Sequence, residues 1–142
     1  MDSRITLESS GTSESPRGSE TRRGGMEWLI EAFGCRPSTL TEIDPLRSLF
    51  ERIVVELNLS AIGEPSWHRF PDTGGITGFW MLRESHLAIH TFPEYGSACI
   101  NLFCCSWRGS PAWTVILEEA LLAKEISVRE FSRSFVGHGP TI

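Results

Sequence analysis

The sequence predicts an α+β fold, a two-layer sandwich in which helices pack on one face of a largely antiparallel sheet. Several short segments alternate apolar and polar residues, as strands do, and two longer segments space their apolar residues as helices do. Pro, Gly and Asp separate the short segments and indicate turns. Runs of strands with one helix in each half favour helices segregated to one face of the sheet.

The first 25 residues differ in composition from the rest of the chain. They are rich in Ser, Thr, Gly and charges of both signs, and they contain almost no apolar residues. Such a segment buries too little surface to offset the entropy of ordering it, so we expect residues 1–25 to form a disordered tail. The length of 142 residues suits one domain, which we place at 26–136, followed by a loose tail at 137–142.

Each element of the domain has its own pattern. Residues 27–35 alternate as a strand, and a helix follows with Pro45 in its first turn. One face of that helix carries Leu46, Leu49, Phe50, Ile53, Val54 and Leu57. Four strands are predicted next, at 66–70, 76–82, 86–91 and 97–105. A second helix at 112–123 and a last strand at 126–135 close the domain.

Charge and hydropathy narrow the class of partner. The formal net charge is -5, and the basic residues form no run longer than Arg22-Arg23, which argues against nucleic-acid or polybasic membrane binding. No apolar stretch approaches the roughly 20 residues that span a bilayer, and the N-terminus lacks the apolar core of a signal peptide. We therefore expect a cytoplasmic protein that acts on a small molecule.

The cysteines do not indicate a metal site. Cys35, Cys99, Cys104 and Cys105 form no C-x-x-C pair and no zinc-finger grouping with histidine. In a reducing compartment they are free thiols, either buried small side chains or reactive groups.

The most informative block is GITGFWMLRESHLAIHTFPEYGSACINLFCC, residues 75–105. It contains Glu84-Ser85-His86, Ile89-His90-Thr91, Pro93-Glu94-Tyr95-Gly96 and Cys105. The block resembles the bacterial S-adenosylmethionine decarboxylases, which carry G-(I/V)-(T/S)-G, then E-S-H-x-x-I-H-T-x-P-E-Y-G, then F-x-C. The resemblance extends more loosely back to Met26, where WLIEAFGC is similar to the opening strand of that family.

The resemblance implies a proenzyme that cuts itself between Glu84 and Ser85 into chains 1–84 and 85–142. Decarboxylation of an amino acid leaves a carbanion that needs an electron sink, and a carbonyl that forms a Schiff base with the substrate amine supplies one. Attack of the Ser85 hydroxyl on the preceding carbonyl, then elimination and hydrolysis, converts residue 85 into a pyruvoyl group. The implied cofactor is therefore self-derived and contains no metal.

The resemblance also implies roles for individual residues. His90 removes a proton during elimination and the Thr77 hydroxyl assists the acyl shift, whereas Cys105 is the proton donor in turnover. Glu94 hydrogen-bonds the substrate ribose. Phe70, with a one-residue shift, stacks on the adenine.

Strand geometry gives a separate expectation about the site. A hairpin centred on Tyr95 pairs Ser85 with Cys105, close enough for a thiol to protonate a group carried on residue 85. The parity of Cys104 then points it to the other face as a packing residue. Ser85 and His90 are an odd number of residues apart, so a bulge or a turn near His86 is needed to bring them to one face.

Several positions depart from the family pattern. Asn101 replaces Asp, Cys104 replaces Thr, and Ser106-Trp107 replaces Gly. Arg83, beside the cleavage point, is unusual and is either a solvated edge residue or a source of charge near a carboxylate. These departures leave open a homologous pyruvoyl enzyme acting on arginine or ornithine, and an uncleaved regulatory paralogue. The bacterial resemblance implies a homodimer of cleaved protomers.

Overall fold

A computed structural model describes residues 4–9 and 24–137, and its main element is a sheet of seven strands in the order β1-β7-β2-β6-β5-β4-β3. The strands are β1 Arg4–Ser9, β2 Gly24–Phe33, β3 Ser66–Arg69, β4 Ile76–Met81, β5 Ser85–Phe92, β6 Ser97–Cys104 and β7 Glu125–Ser134. Every neighbouring pair is antiparallel except β1 and β7, which are parallel.

The helices are α1 Pro37–Leu40, α2 Ile43–Glu56 and α3 Trp113–Leu121, and a 3-10 helix spans Pro93–Tyr95. The predicted apolar face of α2 is largely confirmed, because Leu46, Leu49, Phe50 and Ile53 are all buried. Helix α2 ends where Asn58 adopts the left-handed backbone region (φ 52°), which asparagine tolerates better than most residues. The short helix α1 lies within a segment to which the sequence assigned no element.

The helices cover one face of the sheet. In the central strand β2, Trp28, Ile30 and Ala32 are buried on that face, as their shared parity predicted. The core also includes Ile100 and Leu102 of β6. The opposite face, here called the open face, carries no helix in the described part of the chain, and the predicted two-layer α+β sandwich is confirmed.

The turn between β5 and β6 fixes the register of both strands. It is built from Pro93–Tyr95 and Gly96, whose φ of 63° favours glycine, and it joins Phe92 to Ser97 as a pair. Behind the turn, the buried Thr91 hydroxyl donates to the carbonyl of Leu40 at 2.7 Å and accepts from the Ile76 N–H at 2.8 Å. The threonine of the I-H-T motif therefore ties α1 to the sheet.

The predicted disordered tail is wrong for two parts of residues 1–25. Residues 4–9 form β1 beside β7, and residues 24 and 25 already belong to β2. The physical reason is that an edge strand such as β7 offers a row of unpaired backbone groups, which even a mainly polar segment can bond. The rest of the predicted tail, and the loose tail after Gly137, lie outside the described residues.

Candidate active site

Strand β5 begins at Ser85, directly after a tight turn. Leu82 donates its N–H to the carbonyl of Ser85 at 3.0 Å, so Arg83 and Glu84 form the tip of the β4–β5 hairpin. Ser85 is half-buried, whereas Glu84 is exposed. None of these residues adopts a left-handed backbone conformation. The predicted cleavage bond therefore lies at an accessible hairpin tip with ordinary backbone angles.

The carbonyl of that bond has a defined hydrogen-bond donor. The N–H of Cys105 donates to the Glu84 oxygen at 2.7 Å. This oxygen would gain negative charge if the Ser85 hydroxyl attacked the carbonyl carbon, and a preplaced backbone donor stabilises such an oxyanion. This donor could not be predicted from the sequence, because a backbone contact between two loop ends leaves no signal in side-chain identity.

The predicted pairing of Ser85 with Cys105 is wrong by one residue. The register pairs Ser85 with Cys104, because the turn holds four residues and is centred between Glu94 and Tyr95. A Pro-x-x-Gly turn that ends in a left-handed glycine is the signal that could have set this register.

The two adjacent cysteines lie in different surroundings. Cys104 is 1% exposed on the helix-covered face, and its pKa is raised to about 11, mainly by burial. The positive charge of Arg108, and to a smaller extent the Ser85 side chain, lower the pKa of Cys104 against this effect. Cys105 is exposed and lines a cleft on the open face. Of these two thiols, only that of Cys105 is therefore accessible to a substrate in this cleft.

Near its other end, β5 carries His90, which is opposite Thr77 of β4. The Thr77 hydroxyl oxygen and His90 Nδ1 are 2.9 Å apart on the open face, so the structure brings these two predicted residues together. A hydroxyl bonded to one ring nitrogen orients the imidazole and leaves the other nitrogen for proton transfer.

The two residues predicted to bind substrate lie at this same end of the sheet. Glu94 is exposed in the 3-10 helix that follows β5, and Phe70 is 45% exposed just after β3. Phe70 packs edge-on against His68, with ring centroids 5.1 Å apart. A carboxylate and an aromatic ring therefore lie at the same end of the sheet as the Thr77–His90 pair.

The predicted bulge or turn near His86 is absent from β5, which pairs without interruption with β4 and β6. Continuous ladders on both sides hold the strand to strict alternation, so Ser85 and His90 stay on opposite faces. Five residues of extended strand also separate them by about 17 Å. Within one chain, the residues predicted for processing therefore form two separate groups.

The cleft on the open face beside Ser85 has a volume of about 400 Å³. His86 and Phe103 stack across β5 and β6 at 5.4 Å, and the Arg133 guanidinium lies 5.6 Å from the Phe103 ring. Arg133 also pairs with Glu27 of β2. Glu27 and Arg133 could not be predicted as cleft residues from the sequence. They are distant in sequence from the motif, and the order of the strands in the sheet brings them to the cleft.

Comparison with known proteins decides the family. The model of the family described as S-adenosylmethionine decarboxylase matches residues 26–134. The chain belongs to the S-adenosylmethionine decarboxylase family. The match begins within β2 and ends at the last residue of β7, so it covers both groups of predicted site residues and the cleft.

One relative of this family member is the S-adenosylmethionine decarboxylase proenzyme of Acetivibrio thermocellus. It is 36% identical over 114 residues, which cover 77% of this chain and 87% of the relative. The proenzyme of Thermodesulfovibrio yellowstonii is 31% identical over 80% of this chain and 84% of its own length. Among solved structures, the adenosylmethionine decarboxylase from Aquifex aeolicus matches with a TM-score of 0.67 and 26% identity, over 85% of this chain and 99% of that one.

Two further observations concern cofactor and membrane sites in this family member. Among the described residues, no group of three or more His, Cys, Asp or Glu side chains could hold a metal ion. The helices described are all too short or too polar to cross a membrane.

Proposed function

We propose that this chain is a self-cleaving, pyruvoyl-dependent decarboxylase of S-adenosylmethionine that supplies the aminopropyl donor for polyamine synthesis. The observation that carries the proposal is that Ser85 directly follows an exposed hairpin tip and that the carbonyl of Glu84 accepts a hydrogen bond from the Cys105 N–H. Family membership and the names of the relatives support the same activity. Four free cysteines are compatible with a reducing, cytoplasmic setting.

In the proposed cleavage, the Ser85 hydroxyl attacks the carbonyl carbon of Glu84. The Cys105 N–H stabilises the oxyanion, and the Thr77 hydroxyl assists the shift that converts the peptide into an ester. His90 then removes the α-proton of residue 85, which releases the ester oxygen as part of the Glu84 carboxylate. The elimination leaves a dehydroalanine at residue 85, and water then replaces its nitrogen, which departs as ammonia, so that the new N-terminus becomes a pyruvoyl group.

Ser85 fits the demands of this cofactor, because it begins a strand, is only half-buried and borders the open-face cleft, where a substrate amine could reach it. The pyruvoyl group, once formed, supplies the electron sink for decarboxylation. Cys105 lies in the same cleft and returns a proton to the substrate carbon. Glu94 accepts hydrogen bonds from the ribose, and Phe70 stacks on the adenine.

These roles require a second copy of the chain. Thr77, His90, Glu94 and Phe70 lie at one end of β5, and Ser85 and Cys105 lie at the other, about 17 Å away. A two-fold axis between two open faces, running across the strands, places one end of each protomer against the opposite end of its partner. Each site of the proposed homodimer then takes its serine and thiol from one protomer and its histidine from the other.

The chemistry of the open face supports this arrangement. Phe79 and Met81 of β4 are 46% and 54% exposed, and Phe103 and His86 add to the same surface. Large exposed apolar patches on a sheet are typical of interfaces between chains.

Intact-mass measurement of the purified chain tests the proposal, together with decarboxylation assays on S-adenosylmethionine, arginine and ornithine. We expect chains 1–84 and 85–142, the second beginning with pyruvoyl, and turnover of S-adenosylmethionine alone. Turnover of arginine or ornithine instead would establish a different substrate, to which the Asn101 departure points. A protein that remains at full mass would be the uncleaved regulatory form.

A further inference from the structure

A second cleft borders the proposed cleavage bond, on the helix-covered side of the sheet. It has a volume of about 150 Å³ and is lined by Asn58, Leu59, Ser60, Arg83, Glu84, Ser85 and Arg108. Glu84 and Ser85 therefore lie between two clefts, since both also border the cleft of the open face. The proposed function uses only the open-face cleft and gives this second cleft no role.

The second cleft has an excess of positive charge. Arg83 and Arg108 line it, and Glu84 is the one acidic residue among its lining. The Arg83 guanidinium forms no hydrogen bond or ion pair within the described residues. The backbone N–H of Arg83 donates to the backbone carbonyl of Ser60 at 2.8 Å, which holds the cleft wall in place. Two arginines facing one carboxylate leave one positive charge without a matching negative charge.

Arg108 is anchored rather than mobile. Its Nη1 donates to the carbonyl of Leu57 at 2.7 Å, at the end of α2, and its buried Nε has no hydrogen-bond partner. A guanidinium offers five N–H donors, so most of this fork remains available for an oxyanion.

The Ser85 side chain lies on this same side of the sheet. It is opposite Cys104 in the register, and the charge of Arg108 lowers the pKa of the Cys104 thiol against the larger effect of burial. Arg108 is therefore within electrostatic reach of Ser85 Oγ. In the proposed cleavage, Oγ becomes an oxygen of the Glu84 α-carboxylate.

We infer that Arg83 and Arg108 form an anion site for the α-carboxylate that Glu84 gains when the chain is cut, and that this site speeds the elimination step. The inference rests on the proposed function. In that step a base takes the α-proton of residue 85, the Cβ–Oγ bond breaks, and its electron pair leaves on the oxygen. Nearby guanidinium groups stabilise this developing carboxylate, and the new negative charge matches the unbalanced positive one.

The test follows maturation of Arg83→Gln, Arg108→Gln and the double variant by intact mass, with and without hydroxylamine. Hydroxylamine cuts the ester and leaves a serine terminus on chain 85–142, whereas the finished chain begins with pyruvoyl. We expect each single variant to form pyruvoyl roughly tenfold more slowly, the double variant more slowly still, and the hydroxylamine-sensitive fraction to rise. Arg83→Lys and Arg108→Lys should keep most of the rate, because they keep the charge.

Arg36→Gln is the matched control, since Arg36 is an exposed arginine at the start of α1, outside both clefts. Arg108 also caps α2, so thermal unfolding of each variant separates lost stability from a slower step. If Arg108→Gln unfolds, the Arg83→Gln variant still tests the inference, because Arg83 is exposed and its substitution should not affect folding. Two results would overturn this inference alone, provided that the wild-type chain cleaves. The double variant could mature at the wild-type rate, or it could mature slowly without accumulating the hydroxylamine-sensitive ester. A wild-type chain that never cleaves would overturn the proposed function as well.

Discussion

The two ends of strand β5 differ in how much of a site each holds. At the first end, the carbonyl of Glu84, which precedes Ser85, accepts a hydrogen bond from the Cys105 N–H. The Ser85 side chain lies near Cys104. At the second end, Thr77 and His90 bond one another at 2.9 Å on an exposed surface, with no carbonyl of the cleavage bond within reach. The first end carries the bond that we propose is cut, and the second carries the proposed acid–base groups without a substrate of their own.

With the proposed residue roles, this difference means that one protomer does not contain a whole site. A continuous ladder on both sides of β5 keeps the two ends about 17 Å apart and on opposite faces. Loop movement would not close that distance, because neither end of β5 can leave the sheet without losing its ladder of backbone hydrogen bonds. A second copy of the chain is the simplest way to unite the two ends.

The largest expected effect comes from the first end. Ser85→Ala removes the hydroxyl that is proposed to attack the Glu84 carbonyl, so the chain should stay at full mass and show no decarboxylation. Intact-mass spectra of the variant and the wild type measure this. Ser106→Ala is a control, since it removes a nearby hydroxyl that the proposed chemistry does not use. Cleavage of the Ser85→Ala chain at the same bond would refute the assignment.

The second end should be nearly as sensitive, and it should act across the dimer. His90→Ala removes the proposed base, and we expect cleavage to slow by on the order of 100-fold or more. Co-expression of Ser85→Ala with His90→Ala should restore cleavage at about a quarter of the sites, because half the random dimers are mixed and each holds one complete site. Mass spectra of the mixture measure the fraction. No recovery in the mixture would contradict the shared site.

Sequence predicted the fold better than it predicted the site, and the residues show why. Alternation in β2 and helical spacing in α2 follow from burial, which a sequence pattern records directly. The motif around Ser85, His90 and Cys105 was equally visible. The one-residue error in register arose because pairing depends on the backbone of the Pro93–Gly96 turn, and Arg108 went unnoticed because only the fold brings it to Ser85.

The two adjacent cysteines at the first end are expected to have different roles. Cys105→Ala should lower turnover about 100-fold to 10,000-fold, because it removes the accessible proton donor of the open-face cleft, while cleavage continues through the backbone N–H. Cys104→Ala should cost stability, since a buried side chain is truncated, yet keep most of the turnover. Steady-state assays with S-adenosylmethionine, corrected for the cleaved fraction, compare the two. An inactive Cys104→Ala beside an active Cys105→Ala would reverse their roles.

The smallest expected effect concerns Glu94, at the second end. Its carboxylate is exposed in the turn after β5, where the proposed dimer would turn it toward the ribose of a substrate bound at the partner's Ser85. Glu94→Gln keeps the shape and weakens the acceptor, so kcat/KM for S-adenosylmethionine should fall by about 5-fold to 150-fold, the equivalent of about 1 to 3 kcal/mol. Cleavage should proceed normally, because it involves no ribose. Glu51→Gln, an exposed carboxylate on α2, is the matched control. An unchanged kcat/KM in the fully cleaved Glu94→Gln enzyme would remove Glu94 from the substrate site and leave the cleavage chemistry untouched.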